Sequence, residues 1–167
     1  MPQRTIRHAT EDDITVMQQV LAVGRERMRQ AGNFHQWTGG YPSDDILKED
    51  IRQGFSYVVE EDNRMIAVFV LAECEEPTYR RIFQGQWLDD TRPYATIHRI
   101  AALPEVHGIF QMVVQFALSR MDSLRIDTHQ DKHPMRHMVT SNGFSYCGII
   151  LLADGSERMA YQLVNAS

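Results

Sequence analysis

The spacing of apolar positions changes several times along the chain, and each change marks an element. Residues 3–8 (QRTIRH) read as a short strand. Thr10 with Asp13 three residues on forms a capping box, with Asp in place of Glu, that opens a helix. Ile14, Met17, Val20, Leu21 and Met28 then recur at near-helical spacing and predict its core face. GNFHQWTGGYPS, residues 32–43, sets aromatic and imidazole side chains among glycines, a loop composition. Ser43 is an N-cap and Gly54 a stop for DDILKEDIRQG. From Phe55 the period falls to two: SYVVEE, a turn at Asp62 and Asn63, and MIAVFVLAE predict a hairpin. Residues 76–92 carry no period and hold a helical turn at most. Residues 94–103 (YATIHRIAAL) alternate as a strand and run into Pro104. After Gly108, IFQMVVQFALSRM is helical, LRIDTH is a short strand, and Lys132 to Asn142 is a helix stopped by Gly143. FSYCGIILLA and RMAYQLV, parted by Asp154-Gly155, close as an antiparallel pair. The order β-α-α-β-β-β-α-β-α-β-β predicts one α/β (α+β) domain over residues 1–167: a mixed, mostly antiparallel sheet with helices on both faces.

Composition narrows the classes. The 167 residues, 43% hydrophobic and 23% charged, suit one soluble core. No apolar run approaches the ~20 residues of a membrane span, and the N-terminus lacks a secretory apolar stretch, so the cytoplasm is the expected compartment. A net charge of -5 argues against nucleic acid as a partner. Cys74 and Cys147, far apart in sequence, read as reduced thiols rather than a bridge. DTHQDKHPMRH spaces His129, His133 and His137 by four, as a metal-binding helix would. However, Asp131 is the natural N-cap and Pro134 is tolerated only in the first turn. His129 therefore ends a strand, the row splits, and no metal site is expected.

IHRIAALPEVHGIFQ joins a strand to a helix through a short Gly-containing corner, which aims free N–H groups at an anion such as pyrophosphate. Taken alone the signal is weak, since a lone Gly108 at such a corner more often simply permits the turn. The element order, HRIAALPE, the Gly108-Ile109 corner, LRIDTH and SNGFSYCGII together resemble the GNAT superfamily of N-acetyltransferases across nearly the whole chain. RIDTH…NGFSYCGII is especially similar to a bacterial branch of it. The resemblance implies a V-shaped opening between two central strands, acetyl-CoA in that opening as acyl donor, and direct transfer to an amine. It implies cofactor contacts from Ile100, Ala101 and Ala102, from His107, Gly108, Ile109, Phe110 and Gln111 at the corner, and from Lys132. The corner departs from the family pattern: Glu105 replaces Gln or Arg, Phe110 replaces Gly or Ala, and the loop is about two residues shorter.

Acetyl transfer needs a base for the ammonium, a polarised carbonyl and a proton for the thiolate. His98, on the strand bordering the opening, is the candidate base, with a hydrogen-bonded structural role its equal alternative. Arg99, by alternation on the opposite face, is read as a salt-bridge partner. The family's usual tyrosine acid is Val139 here, and a frequent asparagine is Lys132. Tyr146 and Cys147 are candidate substitutes, with sheet packing as their other reading. Asp127 and His129 share one strand face with Arg125 and are candidate substrate or acid–base groups, with a hydrogen-bonded pair that fixes the strand-to-helix turn as the favoured alternative. Trp37, Tyr41 and Trp87 are candidates for an acceptor wall, although aromatics under a loop are more often satellite core. The expected partners are acetyl-CoA and a small-molecule or peptide amine, with a homodimer through exposed strand edges. The rival reading is a catalytically silent acyl-CoA-binding or partner-binding module.

Overall fold

The capping residues act as their spacing requires. The Asp13 carboxylate accepts the Thr10 N–H at 2.7 Å and two Arg7 guanidinium bonds at 2.9 and 2.8 Å. These lock the first strand, β1 (Arg4–His8), to the start of α1 (Ile14–Gln30) through the 3-10 turn Glu11–Asp13. The Arg7 guanidinium holds Asp13 at a pKa of about 2, below its ordinary 3.8. A depressed carboxylate pKa stabilises the fold above pH 4 and loses that contribution as pH falls from about 4 toward 2. Asp13→Asn is expected to cost about 1–2 kcal/mol at pH 7. In urea titrations the gap from wild type should shrink steadily below pH 4.

The computed structural model describes residues 3–30, 41–129 and 133–165; the side chains of Met28, His133 and Pro134 lie outside that description. The remaining elements are α2 (Asp44–Arg52), β2 (Ser56–Glu61), β3 (Arg64–Ala72), β4 (Ala95–Ala102), α3 (Ile109–Leu118), β5 (Ser123–Thr128), α4 (His133–Ser141), β6 (Ser145–Leu151) and β7 (Glu157–Val164). The expected element order holds. Ser43 Oγ caps α2 by accepting the Ile46 N–H at 3.3 Å.

Seven strands form one sheet in the order β1-β2-β3-β4-β5-β7-β6, antiparallel except between β4 and β5. That parallel pair is joined only at Ala95–Leu124 and Thr96–Arg125. Beyond it β4 stays with β3 and β5 stays with β7, so the two central strands splay apart. α3 and α4 cover one face, burying Val113, Val114, Ala117 and Val139 against Ile97, Leu124 and Ile126. α1 and α2 cover the β1–β4 half of the other face, with Met17, Leu21 and Leu47 on Val58, Val68 and Ala101. The β5–β7–β6 half of that face is covered by the segment between β3 and β4, through Tyr79 and Trp87 on Cys147, Ile150 and Ala160.

One expectation fails inside β4. Strict alternation would place Ala101 with Ile97, yet the two lie in opposite cores. The register of β4 against β3 slips by one between His98 and Ala101, where Arg99 adopts a left-handed φ of 46°. This is a β-bulge, which leaves one extra residue out of the ladder and turns the strand. It swings Arg99 toward α2, where it forms a bidentate pair with Asp50 at 2.7 and 2.8 Å.

The β3–β4 segment is clamped to β6 by reciprocal Phe83–Ile149 backbone bonds at 2.8 Å. The close approach needs glycine: a Cβ on Gly85 would stand 1.9 Å from the Cys147 carbonyl oxygen. Gly85→Ala must displace backbone and is expected to cost about 2–4 kcal/mol. At Gly155 (φ 85°) nothing lies within 4 Å of a Cβ, so Gly155→Ala should cost only about 1–2 kcal/mol, as backbone strain. Denaturant midpoints of the two variants give the comparison.

Candidate active site

Two sets of groups meet where β4 and β5 part. The first is a cavity of about 530 Å³. It lies between the end of β4, the β4–α3 corner, the first turn of α3, the last turns of α1, and Met135 and Met138 of α4. Ile100, Ala101, Ala102, His107, Gly108, Ile109 and Phe110, all anticipated as cofactor residues, line it. Gln111 lies in the first turn of α3 outside that lining, and Lys132 lies outside the described residues. Gly108 caps α3 with φ 80°, a left-handed conformation suited to glycine. Met112 makes the first helical bond, to the Gly108 carbonyl at 3.1 Å, so the N–H groups of Ile109, Phe110 and Gln111 have no partner one turn back.

The departures of this corner from the family pattern resolve structurally. Glu105 turns away and pairs with Arg64 of β3 at 3.3 Å. Phe110 points into the core beside Phe144, ring centroids 6.1 Å apart. Arg4 of β1 donates to the His107 carbonyl at 2.6 Å and pins the short loop.

The second set stands on β4, β5 and the β3–β4 segment. His98 Nε2 lies 3.7 Å from Glu76 Oε2, an ion-pair rather than a hydrogen-bond distance. Glu76 is itself fixed: its other carboxylate oxygen accepts the Thr78 hydroxyl at 3.0 Å, and its N–H donates to the Tyr94 hydroxyl at 2.7 Å. The facing imidazole is the chief reason the Glu76 carboxyl sits below its ordinary pKa. The Tyr79 hydroxyl, fully buried, donates to Asp127 at 2.6 Å. Burial, then the charge of Asp127, holds Tyr79 well above the usual tyrosine pKa, so it is a fixed donor and not an acid. Neither Glu76 nor Tyr79 stands out in the sequence, because residues 76–92 have no periodicity to mark them.

Other anticipated residues fall elsewhere. Tyr146 is exposed on the edge strand β6, stacked edge-on against Tyr161 at 5.6 Å, and β6 is separated from the opening by β7 and β5. Cys147 is the extra residue of a second bulge on the same strand, buried under the β3–β4 segment, and burial pushes its thiol pKa up. Trp87 is buried, its indole N–H held by the Tyr79 carbonyl at 3.0 Å, and its ring faces Arg125. Tyr41 sits beside α2, its hydroxyl accepting from Arg99 at 2.9 Å; Trp37 lies outside the described residues. His129 is buried just past the end of β5, and α4 begins at His133, so the histidine row divides between strand and helix. Among the described residues no three His, Cys, Asp or Glu side chains converge as a metal site would need. Val139, at the position of the family's tyrosine, is fully buried core. A second cavity, about 550 Å³, opens at the paired ends of β4 and β5, and its carboxylates pair with arginines.

No protein-family model matches the chain, and no curated protein is significantly similar to it in sequence. Solved structures are. A GNAT-family acetyltransferase from Streptococcus agalactiae 2603 is 29% identical over 98% of this chain and 96% of its own, with a TM-score of 0.85. The chain has the GNAT acetyltransferase fold. A GNAT-family acetyltransferase from Listeria monocytogenes 4b F2365 shares the fold at 16% identity, covering 96% of this chain and 94% of its own, with a TM-score of 0.68. So does a spermidine N-acetyltransferase SpeG chimera from Vibrio cholerae and human SSAT, at 14% identity, 98% and 96% coverage and a TM-score of 0.64. The seven-stranded, mostly antiparallel sheet with its helices thus matches these acetyltransferases in fold, and the match supports acyl transfer in general. Among the described residues no helix is long and apolar enough to cross a membrane.

Proposed function

We propose that this GNAT chain is an N-acetyltransferase that uses acetyl-CoA and a primary amine of a small molecule or peptide, by direct transfer. The observation that carries the reading is the cavity at the α3 N-terminus running up β4 toward His98, two residues beyond its lining. Acetyl-CoA, when bound, supplies an acyl group already activated as a thioester. The chain supplies the rest. The N–H groups of Ile109 to Gln111 and the helix dipole suit a pyrophosphate. The apolar walls of Ile100, Ala101, Met135 and Met138 suit a pantetheine arm.

His98 takes the proton that an ammonium must lose before its nitrogen attacks, while Glu76 faces and orients the imidazole. The bulge at Arg99 and Ile100 withdraws peptide groups from the ladder beside the opening, where a donor polarises an acyl carbonyl. With Val139 in the core, the leaving thiolate takes its proton from water or from the imidazolium that His98 becomes. The carboxylates of Glu76 and Asp127 favour an amine over an anionic acceptor. A cytoplasmic setting agrees with the free thiols of Cys74 and Cys147. The edge strands β1 and β6 offer pairing surfaces for a homodimer.

The test is calorimetric titration with coenzyme A, followed by thioester consumption with acetyl-CoA across a panel of amines, amino acids and peptides. Binding with amine-dependent turnover is expected. Tight binding without turnover for any amine would favour the silent-module reading.

A further inference from the structure

The walls of the α3 cavity differ sharply in charge, and the difference names a residue. Most of its lining is apolar or neutral. Among the described residues no carboxylate lines it, and the one fixed charge there is Arg27, in the last turn of α1. Two other described charges near the corner are committed. Arg4 is held by Glu61 at 3.1 Å and by the His107 carbonyl, and Glu105 is held by Arg64. Arg27, by contrast, is exposed and makes no hydrogen bond or ion pair with any described residue. Its position on α1 is open as well: Gly24, one turn earlier on the same helix face, also lines the cavity. A mid-helix glycine costs about 1 kcal/mol relative to alanine, and here it presents no side chain to the cavity.

We propose that Arg27 recognises phosphate charge in this cavity, from the α1 wall facing the α3 N-terminus. It supplies the positive side chain that Glu105 and Phe110 do not provide at the corner. The inference rests on the acetyl-CoA reading above and adds a recognition element on a helix that the sequence marks only by its apolar face. An arginine suits the task because its planar fork pairs with two phosphate oxygens at once.

Isothermal titration of the full chain with coenzyme A and with dephospho-coenzyme A, at low and moderate salt, tests it. Wild type, Arg27→Ala and Arg27→Lys are compared, with melting temperatures as a fold check that an exposed side chain should leave unmoved. Arg27→Ala is expected to raise the Kd for coenzyme A about 5- to 50-fold, with Arg27→Lys in between and a weaker salt dependence in the alanine variant. If wild type and variant differ for coenzyme A but not for dephospho-coenzyme A, the recognised group is the 3′-phosphate; if they differ equally for both, it is the pyrophosphate. Equal coenzyme A affinity in wild type and Arg27→Ala would overturn the inference while leaving the acetyltransferase reading standing. A wild type that binds no coenzyme A would remove both.

Discussion

His98→Ala is expected to lower kcat/KM for the acceptor amine by about 10²–10⁴-fold, the range for loss of a positioned general base. Coenzyme A affinity should stay within about twofold, because His98 lies beyond the cavity that would hold the cofactor. The fold should persist too: the imidazole is one-fifth exposed and its only described polar partner is Glu76 at 3.7 Å. Loss of so loose a contact costs about 1 kcal/mol or less. Steady-state kinetics, coenzyme A titration and a melting curve on one preparation separate these effects. Unchanged turnover in the variant would assign His98 to structure and return the base to water or to another group in the opening. A fall in turnover matched by a fall in melting temperature would have the same meaning.

What was legible in the sequence follows the range of the interactions involved. The Thr10–Asp13 box, the Ser43 cap and the Asp62-Asn63 turn are local, and all appear where their residues predict them. The cavity lining from Ile100 to Phe110 is also nearly local, since one strand, one corner and one helix start bring it together. The bulge at Arg99 is different. It depends on how β4 pairs with β3, and no residue in YATIHRIAAL announces that alternation breaks there. Tyr146 and Cys147 were drawn toward the site by their nearness to Gly143-Phe144, but strand order puts β7 and β5 between them and the opening. Glu76 and Tyr79 are unmarked in the sequence for a related reason: each makes its contact across the fold from a segment whose own pattern reads as irregular.

Arg125 provides the largest expected loss of stability. The guanidinium is 1% exposed and lies between the rings of Trp87 and Tyr94, 3.9 Å from each centroid. Its Nη2 donates to the Asp89 carbonyl at 3.1 Å and to Asp90 at 2.9 Å, while Nε is buried without a partner. Truncation to alanine empties the space between two aromatic rings and removes both cation–π contacts, at an expected cost of about 3–5 kcal/mol. Arg125→Met keeps most of the volume and relieves the unpaired Nε, so its cost should be only about 1–2 kcal/mol, since Asp90 is open to solvent and keeps its hydration. Urea denaturation of the two variants measures the order; equal losses would mean that charge, not packing, holds this layer. The consequence reaches the site through one residue. Trp87 bonds the Tyr79 carbonyl, and the Tyr79 hydroxyl fixes Asp127 at the edge of the opening. If Arg125 anchors that chain of contacts, Arg125→Ala should also raise KM for the acceptor amine while leaving coenzyme A affinity unchanged, below the temperature at which the variant melts.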